Sequence, residues 1–198
     1  MSLRARKKKG FSVQPGVYQA ILIGVYDLGT QESERYKNES AKLCLIFELP
    51  DAETTMDTPV TLSKLYSNTL HEKASLRASV EALLNRSFTN EEAEDGIDLG
   101  TLLGANAQVE VVETESNGKT RTNIRNVIRL APKTKKLKSY SEHAYYELDP
   151  KQDIPTGTPQ WIEALIKKSK EFQATIEDEE PTPEYEEVLF EKTLPEAF

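Results

Sequence analysis

The chain predicts a mainly β fold, a small five-stranded barrel with one helix inserted between the third and fourth strands. Three observations predict it. Apolar side chains alternate with a two-residue period through much of 15–66 and again through 107–130. The period changes to 3.6 residues only in the segment between them. The last two alternating segments flank Ser116-Asn117-Gly118-Lys119, and Asn-Gly in that setting is the strongest short hairpin signal.

Each element follows in order. Pro15-Gly16 opens a Val-, Ile- and Tyr-rich strand over 17–28, ended by Asp27-Leu28-Gly29-Thr30. A polar loop, 31–40, holds Arg35, Tyr36 and Lys37. A second strand is expected over 41–49, closed by Pro50-Asp51, and a third over 54–66. Pro59 interrupts the third, and a proline that cannot donate to a ladder points to an edge or a bulge. Thr69-Leu70-His71-Glu72 has the form of a capping box, and Leu76, Val80, Leu83 and Leu84 make one apolar helical stripe ending near Asn85-Arg86. A second box, Thr89-Asn90-Glu91-Glu92, starts a short helical turn that Gly96 stops, and 99–104 reads as a further turn. Strands four and five are expected over 107–114 and 120–130. Near the C-terminus, Thr158-Pro159 starts a helix in which Trp161, Leu165 and Phe172 are expected to dock on the barrel. Three strands, a helix and a two-strand hairpin is the order of the OB barrel. SH3-like barrels and small β-sandwiches compete with it, though neither readily accounts for a long helix at that point.

Charge divides the chain into four parts: a basic arm (1–14), the barrel (15–132), a basic and Tyr-rich extension with an amphipathic helix (133–175), and an acidic tail (176–198). Nine acids face one base, Lys192, between residues 177 and 198, so this stretch carries the whole formal net charge of -8. Such a segment cannot bury enough apolar surface to fold and is expected to be disordered. Its end, Leu194-Pro195-Glu196-Ala197-Phe198, reads as a short peptide for a protein partner to grip, its carboxylate part of the handle. No apolar run approaches the roughly 18 residues that span a bilayer, and the basic arm lacks the apolar segment of a signal peptide. A cytoplasmic protein is expected. Cys44, the one cysteine, sits in Leu43-Cys44-Leu45-Ile46-Phe47 and reads as a buried structural thiol.

The fifth strand is the most informative local feature. Lys119, Arg121, Arg125 and Arg129 fall on one parity, so a regular strand would carry all four on one face. Such a stripe can track a phosphate backbone, or can be an ordinary solvated face. Single-strand binders add aromatic rings on which bases stack. In OB folds the ligand face comes from strands two and three and from the loops joining strands one–two and four–five. Arg35, Tyr36 and Lys37 fall in the first of those loops, Lys119 in the second, and Lys64 and Tyr66 in strand three. Lys7 to Lys9 and the cluster Lys133, Lys135, Lys136 and Lys138 are further basic runs, each a solvated surface or a site where the acidic tail folds back. His71 and His143 have no metal-ligand spacing, and no phosphate-binding or nucleophile motif occurs, so neither catalytic residue, cofactor nor metal is expected.

A set of short motifs carries a resemblance: Val25-Tyr26-Asp27-Leu28-Gly29-Thr30-Gln31, Phe47-Glu48-Leu49-Pro50, Leu70-His71-Glu72-Lys73-Ala74-Ser75-Leu76-Arg77, Phe88-Thr89-Asn90-Glu91-Glu92, Leu102-Leu103-Gly104 and Asn117-Gly118-Lys119-Thr120. In this order they resemble a group of bacteriophage replication-module proteins, regarded as OB-fold single-stranded DNA-binding proteins, over roughly residues 15–172. The tail is similar in type to the acidic tip of bacterial and phage single-strand binding proteins, which ends in acids and a Phe and recruits replication and repair enzymes. The resemblance implies non-catalytic binding of single-stranded DNA in phage replication or recombination, with Leu194, Pro195, Glu196 and Phe198 recruiting partner proteins and a homo-oligomer possible in principle. The competing expectation is a protein-interaction adaptor or host-factor inhibitor, marked by Arg121, Arg125 and Arg129 all salt-bridged to carboxylates.

Overall fold

The alternating segments do form strands, and they join one sheet. The computed structural model describes residues 13–33, 37–52, 59–116 and 118–179. Within these, β1 (Gly16–Ser33), β2 (Asn38–Leu49), β3 (Val60–Ser67), β4 (Asn106–Ser116) and β5 (Lys119–Ile128) run antiparallel in the order β3-β2-β1-β4-β5. A sixth strand, β6 (Ala144–Tyr146), comes from the extension and lies parallel to Gly24–Tyr26 of β1. The sheet has six strands rather than five, and its path is open: among the described residues no ladder joins β3 to β5.

The long polar loop expected over 31–40 is instead mostly strand. β1 continues to Ser33, β2 starts at Asn38, and pairing runs to Ser33↔Asn38. Gly29 makes this possible. It sits at φ +63 in a bulge between Asp27 and Thr30, where a Cβ would meet Leu148 Cδ2 at 2.5 Å. The polar ribbon beyond it is held by the C-terminal helices. Glu171 accepts from the Thr30 amide (2.8 Å) and hydroxyl (2.6 Å), and Gln31 donates to the Leu165 carbonyl.

The main core lies on one face of the sheet. Leu22, Leu45, Phe47, Val60, Val109 and Ile124 pack there with Leu76, Val80 and Leu83 of α1 (Ser75–Leu84). The predicted apolar stripe is the docking face, and truncating any one of these leucines to Ala should cost about 2–5 kcal/mol. The helix starts six residues after Thr69, so the capping box expected there does not form; Thr69 Oγ1 instead accepts from the His71 amide. Asn85 ends the helix in the left-handed region. The second box does form, with Thr89 and Glu92 capping α2 (Asn90–Asp95), followed by a 3-10 turn at Leu99–Leu102.

A second core covers the other face. Tyr26, Leu28 and Cys44 pack under Tyr146 and under Ile162 and Ile166 of α3 (Gln160–Lys167), with Phe172 of α4 (Lys170–Glu179) at the margin. Trp161, expected to dock this helix, is 43% exposed; Ile162 and Ile166, four apart, are fully buried instead. No helix among the described residues is long and apolar enough to cross a membrane.

Candidate nucleic-acid interface

On β5 the expected four-residue stripe does not survive a bulge. Glu110 pairs with Asn126 and Val111 with Ile124, which leaves Arg125 as the extra residue. Buried positions are therefore three apart, Ile124 and Val127, and the parity shifts. Arg121 and Arg125 remain on the outer face, the one opposite α1. Arg129 lies beyond the strand and turns toward the helix end, where it bonds Ser87 Oγ (3.1 Å) and approaches Glu81 (3.8 Å). Arg125 pairs with Glu110 at 3.2 Å, and Glu110 also accepts from Asn126. Arg121 is exposed and has no carboxylate partner among the described residues.

Two residues expected at the interface belong to the interior. The ring of Tyr66 is 2% exposed and shares a 2.9 Å hydrogen bond with Ser79 of α1, so it cannot stack on a base. Burial raises its phenol, and the Ser79 bond offsets this only in part. Lys64 has the same inward parity on β3. Its Nζ lies 5.3 Å from the Tyr66 ring centroid and donates to the Arg125 carbonyl, crossing the seam where β3 and β5 lack a ladder. Burial lowers its pKa. Lys64 is thus a bridge across the seam rather than a phosphate contact. Lys37 is exposed in the β1–β2 turn at φ 48, and Lys119 opens β5. Arg35, Tyr36, the basic arm through residue 12, and Leu194, Pro195, Glu196 and Phe198 lie outside the described residues.

The segment that sequence reading undervalued is 133–141. It leaves β5 through a turn closed by Thr134 N to Ala131 O, then crosses the outer face of the sheet. Asn106 on β4 holds it at Leu137, accepting from its amide (2.8 Å) and donating to its carbonyl (3.1 Å). Gln19 on β1 donates to both Asn106 Oδ1 and the Lys135 carbonyl. Glu48 on β2 is fully buried, and its two oxygens accept from the amides of Tyr140 (2.8 Å) and Ser141 (2.9 Å). A carboxylate between the continuous apolar run 43–47 and Leu49, on a strand whose run points to burial on both faces, is the one sequence signal that could have found this. The strap is fixed through its backbone, leaving Lys133, Lys135, Lys136 and Lys138 exposed and Tyr140 78% exposed.

Beyond β6 the surface is of opposite sign. A cleft of about 660 Å³ is lined by Asp27, Asp98, Tyr145 and Glu147 over a floor that includes Val25 and Leu43. Asp27 accepts from the Gly29 amide and Asp98 from the Gly100 amide, so both shape turns. Cys44 lies under α3, where burial pushes its thiol up to about 12, far from a nucleophile's range. No group of three or more His, Cys, Asp and Glu among the described residues could hold a metal ion. Neither a protein-family model nor a curated protein matches the chain, so its function has to be read from this geometry.

Proposed function

We propose that this protein is a non-catalytic single-stranded DNA-binding protein built on an OB-type barrel, serving replication or recombination in a phage-infected cell, with its acidic tail recruiting partner proteins. The OB reading is supported by the strand order β3-β2-β1-β4-β5 and by α1, which follows β3, precedes β4 and packs against β3, β4 and β5. In this reading Lys64 closes the barrel where the ladder is missing. Fold analogy alone does not assign function. One observation carries the assignment: the outer face of the sheet bears Arg121, Arg125 and the four strap lysines, and the acids described there pair only Arg125. A positive face with exposed aromatic rings is the design of single-strand binders.

The test is fluorescence anisotropy with a labelled poly-dT of about 30 nucleotides and a matching duplex, at two salt concentrations. Preference for the single strand, weakening with salt, is expected. Equal binding of both, or none at low salt, contradicts the reading.

A second reading, a protein-interaction adaptor, is favoured by two pairings. Arg125 with Glu110, and Arg129 with Glu81, are two of the three ion pairs that would mark it. Arg121 has no ion pair among the described residues. The acidic cleft beside Tyr145 would then be the docking site for a basic side chain.

A further inference from the structure

We infer that the strap over residues 133–140, rather than the β5 arginines, is the principal track for the single strand, with Tyr140 as its base-stacking ring; this rests on the single-strand reading above. An extended segment with four lysines in six residues repels itself and gains nothing from lying on a sheet unless something holds it. Here a fully buried carboxylate, Glu48, and a buried amide, Asn106, hold it, and both act on backbone groups. Burying a carboxylate is costly unless it is fully hydrogen-bonded, so this fixation is a substantial structural commitment. Its effect is to hold the backbone still while every lysine side chain stays in water.

The ridge also has the chemistry of a single-strand site rather than of a general polyanion site. Lys133, Lys135, Lys136 and Lys138 are exposed with no ion pair among the described residues, whereas Arg125 and Arg129 are already paired. Tyr140 follows directly. Its ring is 78% exposed, while its amide is pinned to Glu48 at 2.8 Å. An ordered backbone under a freely exposed ring is preorganised for stacking. Arg121 and Arg125 stand on the same face of the sheet and extend the track toward the β4–β5 turn.

The test compares two sets of variants of the full chain by anisotropy on poly-dT across salt. K135Q/K136Q/K138Q should lower the slope of log affinity against log salt by about 2, since each single-strand phosphate contact contributes about 0.7. Tyr140→Ala should weaken binding by about 5- to 100-fold, and Tyr140→Phe should restore it, because stacking needs the ring and not the hydroxyl. Lys133 is left intact because it sits at φ +66. Unchanged thermal melts confirm that these exposed positions do not carry the fold. Photo-crosslinking of wild-type protein to poly-dT containing 5-bromodeoxyuridine should label the peptide holding Tyr140 and needs no variant.

Wild-type affinity in the strap variants, with loss in R121Q/R125Q, would overturn the strap and leave the single-strand reading standing. Failure of the wild-type protein to bind poly-dT would overturn both. Competition by poly-glutamate as effective as by poly-dT, with Tyr140→Ala silent, would make the ridge an acidic-peptide site and overturn the inference.

Discussion

Several charged or aromatic side chains that look functional in the sequence are structural in the fold. Tyr66 closes the core against Ser79, Lys64 ties β3 to β5, and Arg129 turns onto Glu81 and Ser87. Parity along β3 could have shown this: Val60, Leu62, Lys64 and Tyr66 alternate with exposed Thr61 and Leu65. Tyr66→Phe should therefore lower stability by about 1 kcal/mol through loss of one buried hydrogen bond, and leave poly-dT affinity unchanged. Denaturant unfolding and anisotropy on the same preparation check both halves. Glu92 gives a pH-dependent prediction. Hydrogen bonds from Arg86 and from the Thr89 amide hold its carboxyl down at about 2, against an ordinary 4.5. With a folded value below the unfolded one, its contribution is present above 4.5 and is lost as pH falls toward 2. NMR titration should find this low midpoint in the wild type and a rise toward 4.5 in Arg86→Ala.

At the scale of elements, the order of strands and helices was legible because periodicity and turn chemistry are local. Asn117-Gly118 did mark the β4–β5 hairpin, Thr89 with Glu92 did cap α2, and the α1 stripe did face the core. What was not legible depends on partners remote in sequence. The bulge that breaks the β5 stripe depends on the register with β4, and extension of the β1–β2 ribbon past Gly29 depends on Glu171 of α4 accepting from Thr30 and on Gln31 donating to Leu165 of α3. The strap is the clearest case. Residues 133–141 have no regular periodicity of their own, and their conformation is set by Glu48, Gln19 and Asn106 from three different strands. Glu48→Gln should free at least one of the Tyr140 and Ser141 amides and lower stability by about 1.5–3 kcal/mol, the range for hydrogen bonds to a charged group. Hydrogen exchange should speed up at those two amides while the amides of β1 and β2 stay protected. Uniform acceleration across the sheet would mean that Glu48 supports the whole fold rather than the strap.

For the whole molecule, the formal charge of -8 sits in residues 177–198, and the charge-balanced remainder separates its own acids and bases in space. The extension crosses one face of the sheet as a basic ridge, returns as β6, and covers the remaining apolar part of that face with α3 and α4. The acidic cleft opens beside Tyr145 and Glu147 over Val25 and Leu43 of the main core, so it lies on the α1 side of the sheet, whereas the strap lies on the other. The two readings of function divide along this line. A single strand should follow the ridge and avoid the cleft, since the cleft's carboxylates repel phosphate. A basic peptide should do the reverse. The most direct test is a two-dimensional NMR titration of isotope-labelled protein with short poly-dT. Shift changes should concentrate at the amides of residues 121–125 and 135–141, with those of Asp27, Asp98 and Glu147 unmoved. No shift changes at low salt, or changes centred on the cleft with the strap silent, would contradict the single-strand reading.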